Sequence, residues 1–292
     1  MQAHNDDHLQ SDSRSSAGVP VVPLVLGIAL LVIAAAWYLL DSGESSAPEA
    51  PAPAEPAVPA KTAPPAPTLP PAPDIPELAP EPVEPQTSPE PEMPAPPPLT
   101  LEDSDVPVRE AMAAQVAGTS LAPALENQDL LARAAGLINA TSQGRIFHEV
   151  LKLPPPEASF SVVEIDGAAY IDPDSFQRYD AYARAIADVD PGTLASAFHT
   201  FRPLLEEAYA ALGYEGAEMD NALVRALDQV IAVPVLQAPA RLERDVTTWH
   251  YVDPALEELS SLSKQLLRMG PENQALVQAK ARAIREALLA AP

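Results

Sequence analysis

The stretch DPGTLASAFHTFRPLLEEAYAALG, residues Asp190–Gly213, has the pattern of one long amphipathic helix. An Asp-Pro pair opens it as N-cap and first helical residue, and Gly213 is typical of the residue that follows a helix end. Pro203, in its interior, predicts a kink near Thr200 or a division into two helices. Its apolar residues recur every three or four positions and share one face that a partner must cover: Leu194, Phe198, Phe201, Leu205, Tyr209 and Leu212.

The remainder of residues 101–292 predicts a mainly α fold. Phe160–Ile171 alternates with period two around Asp166-Gly167, a pair typical of a two-residue β-turn, and Thr247–Val252 predicts a third strand. Apolar spacing predicts further helices over 104–115, 125–139, 219–230, 256–266 and 276–287. We therefore expect a helical domain with a small β-hairpin or short antiparallel sheet, preceded by one transmembrane helix and a disordered Pro-rich linker.

Residues 19–40, VPVVPLVLGIALLVIAAAWYLL, contain no charged side chain. Twenty-two helical residues can cross a hydrocarbon layer of roughly 30 Å, and Trp37 and Tyr38 suit its interface. The sequence predicts a retained membrane span after a short polar tail, residues 1–18. Arg14 is the only basic residue before the span, which favours a cytoplasmic amino terminus and a periplasmic carboxy-terminal domain.

Residues 41–100 hold 21 of the chain's 36 prolines and few residues that could form a core. Such a segment cannot bury enough apolar surface to offset its ordering entropy. It predicts a disordered Pro/Glu-rich spacer of up to about 190 Å in an extended polyproline conformation. All predicted apolar helix faces lie within residues 101–292, so we expect the spacer to add nothing to the core of this globular domain.

The charge and the lack of cysteine exclude several classes of function. The chain of 292 residues has a formal net charge of −24 and no cysteine. Without a basic cluster to meet phosphates, we expect no nucleic-acid partner. Without cysteine, the chain has no disulfide framework, thiol nucleophile or lipidated cysteine anchor.

No motif predicts catalysis, a cofactor or a metal site. Ser261 and Lys264 match the Ser-x-x-Lys spacing of penicillin-binding proteins, but the accompanying motifs are missing, and Ser261 is predicted in the middle of a helix. The histidines of the domain lack zinc spacing, and helix capping explains Asp190 better than a calcium loop. We therefore expect no enzyme, no cofactor and no metal.

The segment Arg178-Tyr179-Asp180 is the candidate contact site for a ligand or partner. An arginine, an aromatic ring and an acid close together could hold an acidic ligand or a peptide terminus. The alternative, which the composition favours, is an internal salt bridge beside a core tyrosine. The sequence leaves both interpretations open.

Three segments resemble the bacterial domain-of-unknown-function family 3014: FQRYD at 176–180, RPLLEEAYAALGY at 202–214, and YVDPALEELSSLSKQLLRMGPEN at 251–273. The resemblance extends from Leu101 to about Leu288. It implies a single-span bacterial inner-membrane protein with a Pro-rich stretch and this carboxy-terminal domain, and it carries no activity or site residue.

Together these features predict a membrane-anchored envelope protein, a tethered adaptor or binding domain with a protein or cell-wall partner. Two alternatives remain. The domain could face the cytoplasm and anchor a protein complex there, or it could be an enzyme acting on an envelope polymer.

Overall fold

The computed structural model describes residues 73–77, 98–146, 156, 158–246 and 248–290. None of the helices within these ranges is both long and apolar enough to cross a membrane. The predicted tail 1–18 and the predicted span 19–40 lie outside them, as does most of the predicted spacer.

The described residues form a mainly helical domain with one small sheet. The helices are α1 (Asp105–Val116), α2 (Leu130–Ser142), α3 (Pro173–Phe176), α4 (Asp180–Asp188), α5 (Pro191–Ala211), α6 (Met219–Ala232), α7 (Pro254–Glu257), α8 (Ser261–Arg268) and α9 (Pro271–Leu289). The strands are β1 (Val162–Ile165), β2 (Ala168–Ile171), β3 (Arg241–Asp245) and β4 (Thr248–Tyr251). Helix α2 packs mainly on α5 and α6, and α9 packs on α4, α5 and α6.

Asp190-Pro191 begins a helix as predicted, and the pairs Asp172-Pro173 and Asp253-Pro254 begin helices in the same way. The carboxylates of Asp172, Asp190 and Asp253 accept hydrogen bonds from backbone N–H groups in the first turns of α3, α5 and α7. Gly213 follows α5 with φ +93°. Helix α5 runs unbroken through Pro203, so the predicted division into two helices is wrong. The buried face of α5, with Phe198 and Phe201 at its centre, is covered along its length by neighbouring helices, which holds the helix together.

The sheet is antiparallel, in the order β1-β2-β3-β4. The predicted hairpin forms β1 and β2, with Asp166 and Gly167 at positive φ in its turn, and the predicted third strand corresponds to β4. Strand β3, RLERD, was not predicted. Its one apolar residue, Leu242, is the only buried residue of the strand, and the charged neighbours point to solvent.

The predicted helix through Leu256–Leu266 is two helices. Helix α7 ends at Glu257, and the side chain of Ser260 caps α8 by accepting from the N–H of Ser263 at 3.1 Å. Ser261 is therefore the first residue of α8, which corrects its predicted position in mid-helix. Gly270, at φ +82° and ψ 160°, makes the turn from α8 into α9, as the sequence indicates.

One apolar residue of the predicted spacer belongs to the core. Ile75 is only 3% exposed and packs in the same cluster as the helices of the domain. The expectation that the core is complete within residues 101–292 is therefore wrong. A single isoleucine between prolines and acids gives no periodic signal, so the pattern of the sequence could not reveal it.

Candidate functional site: an arginine–tyrosine cluster

The structure separates the three residues predicted as a contact site. Asp180 begins α4, where its carboxylate accepts hydrogen bonds from Arg184 at 2.9 Å and from the Asn273 side chain of α9 at 3.0 Å. Within the described residues no ion pair joins it to Arg178. Asp180 thus holds α4 to α9. Tyr179 is completely buried, while Arg178 is half-buried beside it.

Arg178 lies among aromatic rings. Its guanidinium carbon is 4.6 Å from the ring centre of Tyr179 and 5.3 Å from that of Phe160. Its Nε is buried and has no hydrogen-bond partner among the described residues. Burial lowers the pKa of Arg178, the neighbouring Tyr179 acts to raise it, and Arg268 lowers it again.

Arg268 and Tyr251 complete the group. Arg268 is in the last turn of α8, and Tyr251 ends β4. Burial raises the pKa of the Tyr251 hydroxyl to about 12, against the opposing effect of Arg268. Burial likewise raises the pKa of Tyr179, and both arginines oppose it. We call these four residues, Arg178, Tyr179, Tyr251 and Arg268, the arginine–tyrosine cluster.

The cluster is suited to an anion. Both tyrosines stay neutral at physiological pH, so their hydroxyls can donate, and a guanidinium can only donate. Neither hydroxyl makes a hydrogen bond of good geometry within the parts of the chain that the structure describes. The ion pairs of those parts give neither arginine a carboxylate. A carboxylate or phosphate is the kind of acceptor that binds donors of this type.

An apolar cavity of about 150 Å³ adjoins the cluster, since Tyr251 belongs to both. Its walls come from α3, from the segment before β3, and from the corner between α8 and α9, with Phe176, Leu236, Leu267 and Pro271 among them. A dry apolar cavity of this volume can hold a group the size of benzene. The cavity can therefore hold a small apolar group beside Tyr251.

The Ser-x-x-Lys segment forms a structural network. Lys264 donates to Glu257 at 2.8 Å, and the hydroxyl of Ser261 lies 3.5 Å from the carbonyl oxygen of Gly144. Burial acts to raise the pKa of Glu257, but hydrogen bonds from Lys264, the Tyr251 backbone and His250 outweigh it and hold the pKa at about 2. Lys264 is thus a paired cation and is not positioned as the base of Ser261. Among the described residues no three His, Asp or Glu side chains could hold a metal ion.

Sequence reasoning identified Arg178 and Tyr179 but missed Arg268, Tyr251 and Phe160. Arg268 is in the LLRMGPENQ corner, whose turn chemistry explains the segment without a ligand. Phe160 precedes β1, and Tyr251 ends a strand with ordinary alternation. Only the folded chain brings Phe160 and Arg268 to Arg178, and Tyr251 to Arg268.

The fold defines a mainly helical domain with a four-stranded antiparallel sheet. A family model described as a protein of unknown function (DUF3014) matches residues 130–285, more than half of the chain, and the chain belongs to this family. The match includes the whole arginine–tyrosine cluster and excludes residues 73–77. No curated protein and no solved structure matches the chain.

Proposed function

We propose that this protein is a membrane-tethered adaptor of the bacterial envelope whose domain binds an acidic group of a partner in the arginine–tyrosine cluster. One observation carries the proposal: Arg178 and Arg268 approach the same buried tyrosine without a carboxylate among the described residues. Two positive charges at one half-buried site repel each other and destabilise the folded protein. A bound anion would remove this destabilisation.

The adjoining cavity defines the ligand further. A peptide that ends in an apolar residue places a carboxylate and an aliphatic or aromatic side chain within one residue of each other. The cluster would bind the carboxylate, and the cavity beside Tyr251 would take the side chain. The ligand class is therefore a peptide carboxy terminus with an apolar last residue.

The charge-free run 19–40 supports the membrane anchor, and the single basic residue before it supports a periplasmic domain. A reporter fused to the carboxy terminus that is active only in the periplasm tests this orientation. Activity of a cytoplasmic reporter instead would support an anchor for a cytoplasmic complex and would refute the envelope assignment.

Binding is tested with two acetylated tetrapeptides that end in leucine, one as the free acid and one as the amide. We expect the full-length protein in mild detergent to bind the free acid, and Arg178→Gln or Arg268→Gln to weaken it by roughly 10- to 100-fold, since a charged hydrogen bond is lost. Arg184→Gln is the matched control, because Arg184 is paired with Asp180 away from the cluster. Equal affinity for acid and amide, or equal loss in all three variants, would refute the proposal.

A further inference from the structure

Five residues of the predicted spacer, Pro73 to Glu77, have a defined place against the domain. Ile75 is buried in the core cluster, whereas Pro73, Asp74 and Glu77 are exposed. Only the isoleucine side chain enters the domain fully, and the segment contributes no strand or helix to it. This is how a short linear ligand binds a surface, with one apolar anchor between solvated neighbours.

A charged contact accompanies the anchor. One carboxylate oxygen of Glu77 lies 4.0 Å from the Arg202 guanidinium, which also contacts Asp220 at 2.5 Å and Glu206 at 3.1 Å. Because the Glu77 side chain is 86% exposed, this ion pair shifts a docking equilibrium by less than roughly fivefold. Burial of isoleucine shifts it by roughly ten- to hundredfold. Ile75 therefore supplies most of the affinity, and Glu77 contributes little.

The charges around the docked segment weaken the contact. Arg202 contacts three carboxylates when the segment is docked, from Glu77, Glu206 and Asp220, and Asp74 is close enough to Asp220 to act on its charge. Asp220 is buried, and one of its oxygens has no hydrogen-bond partner among the described residues. The docked segment therefore brings two more negative charges to a carboxylate that is already poorly solvated. This repulsion offsets part of the gain from burying Ile75.

We propose that residues 73–77 are an intramolecular docking motif that reversibly binds the surface beside Arg202 and divides the Pro-rich tether into two parts. The occupant is this chain's own segment, because the twenty residues 78–97 can extend roughly 60 Å and so easily connect the motif to α1 of the same molecule. A motif on so short a connection has an effective concentration near the millimolar range, so a weak contact suffices to populate the docked state.

Docking determines how far the domain can extend from the membrane. This consequence rests on the proposed membrane anchor. With the motif docked, residues 41–72 connect the predicted span to the domain and extend about 100 Å. With the motif released, residues 41–100 extend up to about 190 Å. A partner that competes for the surface beside Arg202 would therefore lengthen the tether as it binds.

The lack of cysteine permits a direct test by paired spin labels in the full-length protein in mild detergent. One label goes on Ala72→Cys, next to the motif, and the other on Ala217→Cys, an exposed position near Asp220. We expect a narrow distribution centred on a short distance. Ile75→Asp should lower the fraction of molecules that show this short distance at least tenfold. Val83→Asp, the same kind of change elsewhere in the tether, is the control and should leave the distribution intact.

Each outcome decides the proposal. A broad distribution before any substitution, or one that Ile75→Asp leaves unchanged, overturns it. If dilution with excess unlabelled protein removes the short distance, the motif docks on a second copy, and the intramolecular proposal is wrong. If the short distance persists on dilution and a peptide of residues 70–80 added in excess reduces it, the surface beside Arg202 is a peptide-binding site that the tether occupies.

Discussion

Replacement of Gly270 by alanine tests the corner that joins α8 to α9 beside the candidate site. The backbone there has φ +82° and ψ 160°, a region that essentially only glycine occupies, and the strain of a side chain costs about 1–3 kcal/mol. A Cβ at Gly270 would also lie 2.5 Å from Cγ and 2.9 Å from Cβ of Phe176. Rotation about χ1 cannot move the Cβ of Phe176, so the backbones must separate, which adds about 1–3 kcal/mol. We expect Gly270→Ala to lower the free energy of unfolding by about 4 kcal/mol.

Gly213→Ala is the matched control, because Gly213 also has positive φ but nothing lies within 4 Å of the added Cβ. It should show the strain alone, about 1–3 kcal/mol. Urea unfolding of the full-length protein, followed by far-UV circular dichroism, measures both. Combining Gly270→Ala with Phe176→Ala should recover part of the loss as a favourable coupling energy. Equal destabilisation by the two glycine variants, or strict additivity with Phe176→Ala, would refute the close approach.

Three further predictions concern single side chains. Tyr251→Phe should weaken binding of the free-acid peptide at least fivefold. It should also raise the free energy of unfolding by about 1 kcal/mol, because it removes a buried hydroxyl that has no well-aligned hydrogen-bond partner among the described residues. A loss of both binding and stability would contradict the donor role. Burial raises the pKa of Asp220 from 3.8 to about 6, so the folded protein binds this proton more tightly than the unfolded chain does. The resulting stabilisation, on the order of 2–3 kcal/mol, is present below about pH 4 and is lost as the pH rises through 6. The stability difference between the parent and Asp220→Asn, measured by urea unfolding from pH 4 to 7.5, should follow this curve, and a flat difference would count against it. Gly136→Ala in α2, where the added Cβ meets nothing within 4 Å, should stabilise the protein by about 1 kcal/mol, and a lower urea midpoint would show that the helix face is occupied.

The features predicted from sequence are those that neighbouring residues determine. The helix start at Asp190-Pro191 and the Asp166-Gly167 turn each depend on two adjacent residues whose backbone preferences agree. Strand β3 was missed because one buried leucine among four charged residues has no visible period, and its place is set by pairing with both β2 and β4. The division between α7 and α8 was missed because leucines continue the helical spacing across the break, while Ser260 provides a better cap than a helix interior residue.

The candidate site was half predictable for the same reason. Arg178 and Tyr179 are adjacent in sequence, so an arginine beside an aromatic ring was visible there. Asp180 was included only because it is the next residue along the chain. A helix begins at Asp180, which turns its carboxylate toward Arg184 and Asn273. Arg268 and Tyr251 come from α8 and β4, and only the packing of these elements gives the site its second cation and second hydroxyl.

The strongest physical reason to assign a ligand to the arginine–tyrosine cluster lies in the charge of the whole chain. With 41 acidic and 17 basic residues, carboxylates are abundant, and several other arginines of the described domain pair with them, for example Arg109 with Asp105, Arg202 with Asp220, and Arg285 with Asp228. A shortage of acids therefore cannot explain why Arg178 and Arg268 approach each other around two neutral hydroxyls. Two half-buried cations that find no carboxylate among the described residues cost stability, and a cost of this kind is what the proposed anion site would explain. The same acidic chain repels free anions at long range, so an acid that binds here needs a second, apolar contact, and the cavity beside Tyr251 provides it.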